Sequence, residues 1–261
     1  MLLIFKIILV PAMIALVSFA GRLWGHYIGG FLVGLPLIVG PILIFLAIDH
    51  GNEFAATSAK GALAGVISIG FFCFLYAITS QRFGIFSSLC AGLLGFAAST
   101  SLFSFLDLPL FITFLLVILL LCIFLFAFPQ SDKIVKKPQT SFLEILIRMI
   151  AAATLVLLIT YSSDILGPRL SGLLAPFPIA GTILSGFTHY SSGDEAARQL
   201  LNAFIKGLFG MAVFCFILAL TLSSLGILLT LLIAIPLTFI GGSITKHYCP
   251  ERLPKAYSDA L

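Results

Sequence analysis

The sequence predicts an all-α fold: a polytopic membrane bundle of about nine transmembrane helices, arranged as two repeats of inverted topology. Three observations lead there. Of the 261 residues, 61% are hydrophobic and only 9% charged, with a mean hydropathy of +1.21, whereas soluble domains carry roughly 25% charged residues. A soluble domain of this size has no core that absorbs so much Leu, Ile and Phe, and this chain has too little charge to coat one. Apolar runs of spanning length, about 20 residues, follow one another with short connections. Finally, the chain aligns with itself at a single offset of 142 residues, without a gap from about residue 5 to residue 85.

The apolar runs fall at about 3–21, 28–48, 54–79, 83–104, 108–128, 142–162, 168–190, 196–222 and 225–243, each bounded by polar, Gly or Pro punctuation. The first run is expected to be a span rather than a cleaved signal peptide, although Ser18-Phe19-Ala20 offers small residues before Gly21. Lys6 interrupts that run instead of preceding it, and the segment has a counterpart later in the chain. Between the fifth and sixth runs lies the basic stretch Ser131-Asp132-Lys133-Ile134-Val135-Lys136-Lys137-Pro138, and the tail from Lys246 is also basic. Both are expected on the cytoplasmic side. Four spans separate them, so one orientation satisfies both: N-terminus out, C-terminus in. Arg22, Arg82 and Arg198 then fall inside, and mainly Lys60 and Arg169 lie towards the outer side.

In the 142-residue register Lys6 meets Arg148, Gly30 meets Gly172, Pro36 meets Pro178, Gly51 meets Gly193 and Glu53 meets Glu195. Phe72-Cys73-Phe74 meets Phe214-Cys215-Phe216, and Gly84-Ile85 meets Gly226-Ile227. Chance matches among Leu and Ala are common, but aligned Gly, Pro, Glu and Cys are not. The expected organisation is a first repeat plus a linking fifth helix over 1–128, a basic cytoplasmic loop over 129–141, a second repeat over 142–245 and a cytoplasmic tail over 246–261. Five spans precede the second copy, so it enters the membrane from the opposite side. Inverted repeats recur in secondary transporters, because the two halves exchange shapes between inward-facing and outward-facing states.

The candidate substrate-binding residues come from two features. The second helix of each repeat is interrupted at aligned places, by Gly34-Leu35-Pro36 with Gly40-Pro41 and by Pro176-Phe177-Pro178 with Gly181. Proline removes a backbone donor and clashes with the preceding turn, so each helix is expected to break near mid-bilayer, where Pro36, Gly40, Pro178 and Gly181 would line a solute cavity. A packing kink is the plain alternative. The third helix of each repeat carries buried charge: counted from Asn52 and Asp194, Lys60 lies about 12 Å and Lys206 about 18 Å along the axis. Lys60 aligns with Asn202, one turn from Lys206 on the same face. Ammonium groups at such depth require a cavity, partner or water, or else snorkel to an interface. Together these groups point to an anionic solute, and His189 is the candidate for proton coupling.

Other residues read as structure. Gly51-Asn52-Glu53 and Gly193-Asp194-Glu195 look like helix caps, and Gly61 with Gly65 suits close helix packing. Asp107 beside Pro109 suggests a turn, and Trp24 and Tyr27 suit an interface. The five cysteines are scattered and read as buried thiols, apart from Cys249 in the polar tail. No zinc motif, phosphate-binding loop or dinucleotide fingerprint is present, so no metal or cofactor is expected.

The segment Gly167-Pro168-Arg169-Leu170-Ser171-Gly172-Leu173-Leu174-Ala175-Pro176-Phe177-Pro178, followed by His189-Tyr190 and Gly193, resembles the GlpM-type family of small bacterial inner-membrane proteins. The likeness covers the second repeat and, more faintly, the first, as in a duplicated and fused unit. It implies a bacterial inner-membrane location and supplies no substrate or catalytic residues. The bundle is also broadly similar to drug/metabolite exporters with repeated helical halves, but lacks the mid-membrane Glu in its first helix that cationic drug export would need. The expected function is secondary-active transport of a small anionic solute or lipid-linked head group by alternating access. The alternative is a non-transporting scaffold or accessory subunit of an envelope pathway. An enzyme is not expected, since no nucleophile, acid and metal groups converge. The expected partners are the lipid bilayer and a small-molecule solute, with a homodimer left open and no nucleic acid.

Overall fold

A computed structural model describes the backbone of residues 2–106, 108–129, 141–174 and 178–248, and the side chains of 8–106, 108–129, 141–158 and 178–242. The described residues are overwhelmingly helical, without strands. The elements are α1 (Leu2–Trp24), α2 (His26–Gly34), α3 (Val39–His50), α4 (Asn52–Ser80), α5 (Ile85–Ser104), α6 (Leu110–Ala127), α7 (Phe142–Leu174), α8 (Ile179–Ser192) and α9 (Asp194–Tyr248). Five described segments are long and apolar enough to cross a membrane: His26–His50, Asn52–Ser80, Ile85–Ser104, Leu110–Ala127 and Asp194–Gly242. Their outward faces are apolar too, with Phe86, Leu94, Phe126 and Leu228 strongly exposed.

The helix ends follow from local stereochemistry. Pro36 excludes its predecessor from the helical region, and Leu35 is extended at φ −76°, ψ 158°, so the helix stops at Gly34 and restarts at Val39. Single glycines join consecutive helices at Gly25, Gly51 and Gly193, and another divides α9 at Gly226 into segments 194–225 and 227–248; φ at the four lies between 74° and 97°. With ψ between 163° and 175°, these are conformations open essentially to glycine alone. Gly51 and Gly193 themselves cap the helices that follow, with no side-chain capping bond, so Asn52 and Asp194 are first helical residues rather than caps.

The same backbone pattern recurs 142 residues apart. α3 and α8 end at His50 and Ser192, and α4 and α9 begin at Asn52 and Asp194. Gly40 N–H donates to Pro36 O and Thr182 N–H donates to Pro178 O, both at 2.8 Å. The nine runs read from the sequence do not map one-to-one onto helices: the second is broken into α2 and α3, the sixth continues into the start of the seventh as α7, and the last two are the segments of α9. Residues 130–140, Asp107, 175–177 and 249–261, with the basic loop, the Asp107 turn, the Pro176-Phe177 pair and most of the tail, lie outside the described residues.

α4 and the first segment of α9 form the centre, and α2 also lies along α9. The backbones of α2 and α9 touch. A Cβ on Gly30 would sit 2.0 Å from Leu200 O, one on Gly34 2.4 Å from Phe204 O, and one on Gly207 2.3 Å from Phe31 O. Close approach therefore belongs to these glycines; Gly61, expected from the sequence to serve it, meets nothing within 4 Å. α6 bridges the two central helices through stacked rings, Phe124 on Phe74 at 5.2 Å and Phe114 on Phe216 at 4.4 Å. Phe74 and Phe216 are aligned positions, and they meet α6 near its opposite ends.

Candidate functional site

Polar side chains gather at one end of the bundle, where α1, α4 and α8 finish and α2, α5, α7 and α9 begin. Its components are drawn together by direct contacts. Arg148 on α7, 4% exposed, donates to the Glu144 carboxylate one turn earlier and to Ser18 Oγ on α1 at 3.4 Å, and its guanidinium stands 5.6 Å from the Phe187 ring centre on α8. Its Nε is buried without a hydrogen-bond partner. Beside it is a small cavity of about 20 Å³, lined by Ser18, His26, Arg148, Thr188 and Leu200 among others, with room for one water molecule.

Arg198 on α9, 7% exposed, donates to Asp194 at 2.7 Å and lies 3.6 Å from Glu195. The fields of Asp194 and Arg198 both reach His189. Across from them the fully buried Tyr76 on α4 places its hydroxyl 3.1 Å from His189 Nδ1 and 3.4 Å from Ser185 O. Since Tyr76 is near the end of α4 and Asp194 opens α9, these two aligned central helices run antiparallel.

Lys206 is the deeply buried lysine, 3% exposed, with Nζ 5.2 Å from the Tyr27 ring centre. A cation over an aromatic face gains about 0.5–2 kcal/mol as water is excluded, so Tyr27 serves as more than an interfacial residue. Lys60 and Asn202 are half-buried on α4 and α9. The first interruption falls between Gly34 and Val39, and after the second prolines α8 begins at Ile179. Gly40 packs against the Phe214 ring, and Gly181 against Phe204 and Phe72; Pro36 is half-buried and Pro178 buried. Aromatic rings thus lie against both Gly40 and Gly181 in this conformation, and a water-sized cavity lies at the polar end.

Sequence reasoning passed over Arg148, Arg198 and Tyr76. A signal existed for the arginines: Glu144 and Asp194 each precede their arginine by four residues, the helical spacing of an ion pair with the acid on the favourable N-terminal side. Tyr76 carried none, because its partners are 109 and 113 residues away. No family model, curated protein or solved structure matches the chain.

Proposed function

We propose that the chain is a secondary-active transporter of a small anionic solute or lipid-linked head group, embedded in the bacterial inner membrane and working by alternating access between two inverted repeats. The observation that carries this reading is the pair of equivalent broken helices, Leu35–Pro36 and Pro178, packed around central helices that are aligned in sequence and antiparallel in space. Discontinuous helices at repeat interfaces are where such proteins hold solutes. The buried Lys206 favours an anion, since Arg148 and Arg198 are already paired with carboxylates, and a lysine within an apolar segment is a site hypothesis by default. The resemblance to the GlpM-type family accords with the inner membrane, and the basic loop and tail support a C-terminus inside.

Transport requires the Phe72, Phe204 and Phe214 rings to leave the breaks. Single cysteines beside Pro36 and Pro178, in a cysteine-free background, test this with a membrane-impermeant thiol reagent applied from each side. Labelling that switches sides with conditions and depends on Lys206 is expected. Silence from both sides would overturn the reading in favour of the second one, a non-transporting scaffold or accessory subunit, which the aromatic filling of both breaks favours.

A further inference from the structure

The 142-residue register pairs two sites of similar backbone around α3 and α8 that differ in chemistry. On the polar end, Tyr76, Ser185 and His189 meet between α4 and α8. Shifted by 142 residues, these positions are Leu218, Leu43 and Ala47, which line a small apolar void of about 10 Å³ between α3 and α9. One half has a hydrogen-bonded cluster where the other has methyl groups and a gap.

We infer that Tyr76 and His189 form a single proton-binding site, present in one half of the molecule only, with Tyr76 as the residue that positions His189 in both of its charge states. The inference rests on the transporter reading for its physiological role, but not for its chemistry. A phenol has one proton and can also accept. With His189 neutral, the Tyr76 hydroxyl donates to Nδ1 at 3.1 Å, the shorter of its two contacts. When a proton adds to the Nδ1 lone pair, the imidazolium N–H donates to the phenol oxygen. The phenol proton turns to the Ser185 carbonyl at 3.4 Å. No heavy atom need move, and the hydroxyl is satisfied in both states. A buried phenol able to reach only one of these groups would lock one state.

The charged surroundings allow this. From α9 the site faces Asp194 and Arg198, which pair with each other at 2.7 Å and so largely offset one another. α4 contributes Tyr76, and α5 brings Leu89 against Gly186. On the far side of α8, Arg148, paired with Glu144, stands over Phe187, and His26 and Thr188 both line the water-sized cavity. On α8 itself Tyr190 is exposed. Ala47 and Leu218 cannot take up a proton, so the equivalent position on α3 carries no such site.

Nitrogen-15 NMR of histidine-labelled protein in nanodiscs tests this without any substrate. His189→Gln identifies the signal among those of His26, His50 and His247. The expected result is reversible titration of His189, with the neutral form protonated on Nε2. Tyr76→Phe removes the hydrogen bond from both forms, and because the bond made by the charged imidazolium is the stronger of the two, the midpoint is expected to fall by about one pH unit, a tenfold change in proton affinity. A His189 signal constant between pH 5 and 9, or a neutral form protonated on Nδ1 in the unsubstituted protein, would overturn the inference, and neither result depends on whether Tyr76→Phe folds. An unchanged midpoint in folded Tyr76→Phe would do so as well. If His189 titrates as described but thiol labelling at the breaks is silent, the transporter reading falls and the proton site stands. The converse pair of results removes the site and leaves the transporter.

Discussion

The contact between α2 and α9 yields the sharpest quantitative prediction, because it is made backbone to backbone. Gly30→Ala puts a methyl group 2.0 Å from Leu200 O, 2.8 Å from its carbonyl carbon and 3.0 Å from its Cα. Backbone atoms within a helix cannot swing aside as the end of a side chain can, so the two helices must part by roughly 1 Å, a gap that forfeits a quarter to a half of each dispersion contact along the seam. Overpacking of this kind costs about 1–3 kcal/mol, and the rigid backbone partner puts Gly30→Ala at the upper end, near 3 kcal/mol. At about 2–4 °C per kcal/mol for a chain of this size, the melting temperature is expected to fall by about 6–12 °C. Gly40→Ala comes no closer than 3.3 Å, to the edge of the movable Phe214 ring, and its melting temperature is expected to fall by less. Gly61→Ala meets nothing and gains up to about 1 kcal/mol of helix propensity. The assay is thermal unfolding read by a thiol-reactive dye, with the fully buried Cys73 and Cys215 as reporters and Cys90, Cys122 and Cys249 replaced by serine. Equal melting temperatures for Gly30→Ala and Gly61→Ala would show that α2 does not lie against α9 in this way.

The same assay reads three further expectations. Gly51→Ala and Gly193→Ala, both at φ 90°, should each cost about 1–3 kcal/mol and by similar amounts, since the two junctions share one geometry; a large difference between them would contradict it. Arg148→Ala leaves Glu144 without its cation and should cost about 3–5 kcal/mol, whereas the double change Glu144→Gln with Arg148→Gln should recover part of that loss; additive losses would mean the pair is not coupled. Tyr27→Phe keeps an aromatic face for Lys206 and should be near neutral, Tyr27→Leu should lose about 0.5–2 kcal/mol, and Lys206→Met should fold normally while abolishing side-dependent labelling at Pro36.

Which features were legible in the sequence follows from how local their causes are. Pro36 forces Leu35 out of the helical region through a clash between neighbours, and Gly51 and Gly193 turn the chain where a Cβ is barely tolerated, so the interruption at Pro36 and these two junctions could be read directly. Tertiary structure alone decided which surfaces meet. In helices apolar on every side, no polar stripe marks which face packs against a neighbour. Gly30 and Gly61 therefore look alike in sequence, although one lies against a neighbouring backbone and the other is open. For the same reason Lys60 and Lys206 looked comparable, yet one is half-buried and the other lies beneath Tyr27. The Tyr76–His189 contact joins residues 113 positions apart, a proximity that comes only from the packing of α4 against α8, and its absence from the equivalent site needs both halves in view.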